Sequence, residues 1–90
     1  MTALRLLPWS GPDGKPAFLS TDDEGGFLSR VADEAEAAQL AAAEQVLGLV
    51  GQLVSEAGVG PGELRYAVRR LAECLTDALR VAESRGARLP

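Results

Sequence analysis

The stretch GELRYAVRRLAECLTDALRVAESRG, residues 62–86, decides the fold. Its apolar positions Leu64, Val68, Leu71, Leu75, Ala78 and Ala82 recur at gaps of four, three, four, three and four, the spacing of one face of an α-helix. In a heptad frame Val68, Leu75 and Ala82 take position a, and Leu64, Leu71 and Ala78 take d. Ala72 and Leu79 then fall at e, and Ala67, Cys74 and Val81 at g. A two-helix contact buries only a and d. Here e and g are apolar too, apart from Arg65, so the helix wants neighbours on two sides.

One neighbour lies upstream. Phe27, Leu28, Val31, Ala35, Ala38, Ala42, Val46, Leu49, Val50, Leu53, Val54 and Ala57 supply an apolar face, and EAEAAQLAAAEQVL within it is dense in strong helix formers. A first helix is predicted over residues 23–57. Ser20, Thr21, Asp22 and Asp23 offer N-caps, and acids suit a first turn. GVGPG (58–62) is the break: Gly58 suits a helix end and Pro61 the first turn of the next helix. The turn is placed at 58–61, the second helix at 62–85 and a tail at 86–90. Two helices joined so briefly lie antiparallel. That brings the acidic start of the first (Asp22, Asp23, Glu24, Asp33) to the basic end of the second (Arg80, Arg85, Arg88).

Residues 1–22 read differently. GPDGK is a turn signal: Pro presets φ, Asp bonds back to the backbone and Gly accepts positive φ. LRLLPW and PAFLS flank it. A short β-hairpin is one reading, edge-like because Pro8 and Pro16 lack a donor. An extended arm packing Leu4, Leu6, Trp9 and Phe18 onto the helices is the other.

Ninety residues make one domain. A chain of this size hides only about 60–65% of its unfolded surface, so its core is marginal alone. One cysteine allows no internal disulfide, and the chain has no histidine. The usual zinc sets cannot be built, and neither a metal nor a cofactor is expected. The source of extra buried area is then a second copy. The fold class is mainly α: an N-terminal hairpin or arm, then a long antiparallel helical hairpin that dimerises into a four-helix bundle. The expected interface is Leu64, Ala67, Val68, Leu71, Ala72, Cys74, Leu75, Ala78, Leu79, Val81 and Ala82, with Gly48 and Gly51. Ala41, Gly48 and Ser55 stand seven apart, a strip of small residues along which another helix can approach. The competing arrangement folds residues 1–22 back over the second side of a monomer.

The net charge of −4 argues against nucleic acid or anionic membrane as default partners. Its distribution is uneven: nine acids and three bases in residues 1–60, four acids and six bases in 61–90. Arg65, Arg69 and Arg70 with Tyr66 form a basic patch, but Glu63, Glu73 and Asp77 dilute it, and helices this long are not helix-turn-helix units. No apolar run approaches the roughly 20 residues needed to span a bilayer, and MTALRLLPW has no adequate apolar region or cleavage site for a secretory signal. A cytoplasmic protein is expected.

Chemistry finds little purchase. GVGPG lacks the preceding strand and following Lys of a phosphate cradle. A calcium loop begun at Asp13 has Lys15 at position three and no Gly at position six. The acids Asp22, Asp23, Glu24, Asp33, Glu34 and Glu36 read as caps and a solvated face. Cys74 lies on the apolar stripe with no histidine to activate it. No Asp-Ser-Leu pattern of an acyl carrier protein is present. No base, nucleophile and orienting group assemble, so no enzyme is expected. Trp9 and Phe18, with Asp22 and Asp23, are the candidate surface for another protein; Trp9 capping the bundle end is the simpler alternative. A DNA-associated accessory using Arg65, Arg69 and Arg70, and a small-molecule-binding bundle with a pocket at Gly48 and Gly51, are the other readings.

LRLLPWSGPDGKPAFLSTDD, GFLSRVADEAEAAQL and ELRYAVRRLAECLTDALRVAESRG together resemble a group of small proteins of streptomycetes and related actinobacteria. The PWS…GKP…LSTDD stretch is the most specific part. The resemblance covers most of the chain and implies a cytoplasmic bacterial protein. It carries no site residues.

Overall fold

The computed structural model describes residues 3–21 and 26–89. The chain forms β1 (Ala3–Ser10), β2 (Pro16–Thr21), α1 (Phe27–Ser55) and α2 (Pro61–Ala87). It is mainly helical, with an antiparallel two-stranded hairpin preceding an antiparallel helical pair.

The hairpin turn is what GPDGK dictates. Gly14 N–H donates to Gly11 O (3.0 Å) and Gly11 N–H to Lys15 O (2.8 Å). Pro12 takes the second turn position, where its fixed φ fits. Asp13 Oδ1 accepts from Lys15 N–H at 3.0 Å, and Gly14 adopts φ +79°. Pairing runs Leu4↔Ser20, Arg5↔Leu19 and Leu6↔Phe18, then breaks until Ser10↔Pro16. Three β1 residues, Leu7, Pro8 and Trp9, thus oppose Ala17 alone. That irregularity accommodates the donor Pro8 lacks. The strands are therefore a true hairpin, not an extended arm.

α1 starts after the N-cap Gly26, with no side-chain cap; Asp22, Asp23 and Glu24 lie outside the described residues. It ends at Ser55, two residues before the expected limit, with Glu56 as C-cap. Gly58, at φ +79°, turns the chain. α2 opens on Pro61 at its first turn. It runs through Gly86, where a stop was expected, to a cap at Arg88. The Arg88 side chain bonds Ser84 and Glu36, which holds the last turn in register.

The strands sit across the open end of the helical pair. The core there is thin: among the described residues only Leu7, Ala32, Ala67, Cys74 and Val81 are buried apolar side chains beside the buried Pro8. The molecule is long, 57 × 25 × 21 Å, with a radius of gyration of 16.4 Å; a compact chain of this length has about 12 Å.

One expectation needs correction. α1 is long and apolar enough to cross a membrane by length and composition, holding an 18-residue window of mean hydropathy 1.2. Its alanine-rich centre and the leucines and valines that follow raise the mean without an uninterrupted apolar run.

Candidate interaction surface

Three regions of the surface have distinct character. The first is the polar clamp beneath the β-hairpin. Arg5 is buried on the inner face of β1 and Glu36 is buried on α1. Arg5 Nη2 lies 2.7 Å from Asp33 Oδ1 and 3.4 Å from Glu36 Oε2, and its Nη1 donates to Ser29 O at 3.1 Å. From α2, Arg85 and Arg88 approach Glu36 Oε1 at 3.4 and 3.3 Å. Three guanidinium groups thus surround one buried carboxylate. The bulged strand is held through its carbonyls. Gln39 Nε2 (2.7 Å) and Arg80 Nη1 (3.0 Å) both donate to Pro8 O, and Ser84 Oγ donates to Leu6 O at 2.7 Å. Arg5 Nε, Glu36 Oε2 and Gln39 Oε1 have no hydrogen-bond partner among the described residues, so ion pairing is the main compensation for the charges buried in the clamp.

Charge matching between the start of α1 and the end of α2 does occur, but through Glu36 rather than the first acids. Sequence reading placed Glu36 on a solvated face. The strand's Arg5 and the α2 side chains Arg85 and Arg88 close around it. Sequence reading gave Arg5, Gln39 and Ser84 no role and met Ser29 only in rejecting a carrier-protein pattern. For Ser29, Gln39 and Ser84 the one signal is a polar residue on an inward helical row.

The second region is the uncovered flank of the helical pair. The side of α2 that faces α1 and the strands is Ala67, Leu71, Cys74, Ala78 and Val81, buried or half-buried. A second stripe, Leu64, Val68, Ala72, Leu75, Leu79 and Ala82, runs beside it and stays exposed; Val68 is 65% exposed, Leu75 60% and Leu79 62%. On α1 the row Leu40, Leu47 and Val54 has heptad spacing, and its last two members are exposed. Phe18 and Leu6, on the outer face of the strands, border the same shallow cleft as Leu79 and extend the stripe.

Of the thirteen expected interface residues, Ala67, Cys74 and Val81 are covered by the chain itself, and Leu71 and Ala78 are half-covered. The other eight are exposed. A Cβ added at Gly48 or Gly51 would meet nothing within 4 Å, so no helix of this chain approaches the small-residue strip. Of the other candidate partner residues, Trp9 is half-buried and Phe18 exposed, while Asp22 and Asp23 lie outside the described residues.

The third region is a groove of about 760 Å³ on the opposite flank, toward the interhelical turn. Ala42, Val46, Leu49 and Leu53 of α1 and Tyr66 and Ala67 of α2 form its apolar walls, with Arg70 at its edge. It is not built from Gly48 and Gly51. Arg70 bonds Glu73, which raises the guanidinium's pKa. Arg70 borders the groove, and Arg65 and Arg69 do not. Among the described residues, no group of three or more acids or thiols stands in the geometry of a metal site.

No family model matches the chain, and neither a curated protein nor a solved structure matches it.

Proposed function

We propose that the chain is a non-enzymatic protein–protein interaction module, a small cytoplasmic regulatory or adaptor subunit that acts as a homodimeric four-helix bundle. One observation carries the reading: the second apolar stripe of α2 has no cover among the described residues. The exposed area supports it. The chain exposes 6582 Å², against about 5,000 Å² for a compact monomer of its mass. The excess for two copies, about 3,000 Å², falls in the range of obligate homodimer interfaces. A second copy on this flank leaves the outer strand face and the groove for other partners. The charges along α2 (Arg65, Arg69, Arg70, Glu73, Asp77) favour water around the helical pair over a bilayer.

Light scattering on a sizing column, over a concentration series, tests the reading. A mass near twice 9.4 kDa is expected. A folded monomer at every concentration removes the homodimer, and recovery with the membrane fraction removes the cytoplasmic assignment.

The groove favours a second reading, a small-molecule-binding bundle, because its size and apolar walls suit a compact apolar ligand. Binding of an apolar fluorescent probe that Val46→Trp abolishes would favour it. Probe binding unaffected by that substitution would count against it.

A further inference from the structure

We infer that the two copies pack antiparallel about a single two-fold axis that passes Leu47 of α1 and the Leu71–Ala72 step of α2. This rests on the homodimer reading above and adds its geometry.

Two apolar rows line the bare flank. On α1, Leu40, Leu47 and Val54 are centred on Leu47. On α2, Leu64, Val68, Leu75 and Leu79 are centred between Leu71 and Ala72. At 100° per residue, Leu47 lies about 140–160° around α1 from Ala42 and Leu49, and Val68 about 160° around α2 from Tyr66. Both rows therefore occupy the flank opposite the groove and form one surface.

The clamp fixes how the helices are aligned. Gln39 and Arg80 donate to the same carbonyl of Pro8, so they stand at the same level along the pair. Eight residues on from Gln39 is Leu47, and eight back from Arg80 is Ala72. With equal rise on both helices, the two row centres are level to within about one turn. A two-fold axis serves both rows only if their centres coincide in this way, and a self-complementary interface requires such an axis.

About that axis Leu64 meets the partner's Leu79, Val68 meets the partner's Leu75, and Ala72 lies beside its own copy. On α1 Leu47 meets itself, Leu40 meets the partner's Val54, and Gly51 faces the partner's Ala43. The small residues Ala72, Gly51 and Ala43 permit close approach.

The level row centres favour antiparallel over parallel: a two-fold axis along the helices would set the α1 row against the partner's α2 row and needs no such coincidence. Arg65 and Glu83 are 18 residues apart, five full turns, and share one edge of the stripe. Antiparallel packing brings Arg65 to within about five residues' rise of the partner's Glu83, a favourable pairing of charge.

Single cysteines placed in a Cys74→Ala background, oxidised and run without reductant, test the arrangement. Each variant is first checked for dimeric mass. Ala72→Cys should form a disulfide-linked dimer alone. Leu64→Cys and Leu79→Cys should not link to themselves, because copies of each stand about 22 Å apart along the helix direction. Mixed, those two should link to each other. Self-linking of Leu64→Cys and of Leu79→Cys would show a parallel dimer and overturn the inference while leaving the homodimer. A dimeric mass with no link at any position would place the interface elsewhere and overturn it as well. A monomeric mass for the unmodified chain would instead overturn the homodimer reading on which it rests.

Discussion

At the scale of single residues, Glu36 has the largest consequence. It is buried with Arg5 and touches Arg85 and Arg88. Breaking a buried pair leaves an uncompensated charge and costs about 3–5 kcal/mol. Glu36→Ala should lower the unfolding free energy by about that much in urea titration. The Asp33 side chain is 60% exposed, so Asp33→Ala should cost about 1 kcal/mol or less, as surface pairs do. Comparable losses for the two would show that Glu36 is not the centre of the clamp. The glycines divide in the same way by environment. Gly48 lies mid-helix with nothing near its Cβ position, so Gly48→Ala should stabilise by about 0.5–1 kcal/mol. Gly58 has φ +79°, and Gly58→Ala should destabilise by about 1 kcal/mol. Thermal melts of the pair should move in opposite directions.

At the scale of elements, the strands and helices are coupled mainly by polar groups. Leu7 and Pro8 supply the buried apolar contact, and the rest is side chains reaching strand carbonyls. Leu7→Ala should cost about 2–4 kcal/mol and should loosen the strands more than the helices. Amide exchange would then rise in Ala3–Ser10 and Pro16–Thr21, with protection in the middle of α2 retained. Uniform loss of protection would instead make the strands part of the helical core. The elements themselves were largely legible. GPDGK specified its turn, GVGPG the interhelical break, and the three/four spacing of α2 its helix. The ends were less so: α2 passes through Gly86 because Arg88 is anchored to Glu36, a contact made 52 residues away in sequence.

At the scale of the whole molecule, the shape follows from a wide stripe on a short chain. The strands cover the open end of the helical pair and leave the flank bare. Leu75→Asp places a charge at the centre of that flank, where the subunit itself leaves Leu75 60% exposed. It should shift the solution mass from dimer to monomer and make the melting temperature independent of protein concentration, since dimer stability follows mass action. A dimeric mass for Leu75→Asp would place the interface elsewhere.

Periodicity and turn chemistry determined, without any structure, the two helices, their antiparallel order and the excess of apolar surface. These are local properties, set by spacing along the chain and by backbone geometry. Tertiary structure decided which apolar row is spent internally. Ala67, Cys74 and Val81, the g positions, face α1 and the strands, while Val68 and Leu75 at a, Leu64 at d and Leu79 at e do not, although the heptad frame makes a and d the contact. It also decided that an arginine on a strand and a glutamate on a helix become one buried cluster. Antiparallel helices already bring Arg85 toward Glu36, but no spacing rule links Arg5 to Glu36, because their proximity exists only once the hairpin has closed over the ends of both helices.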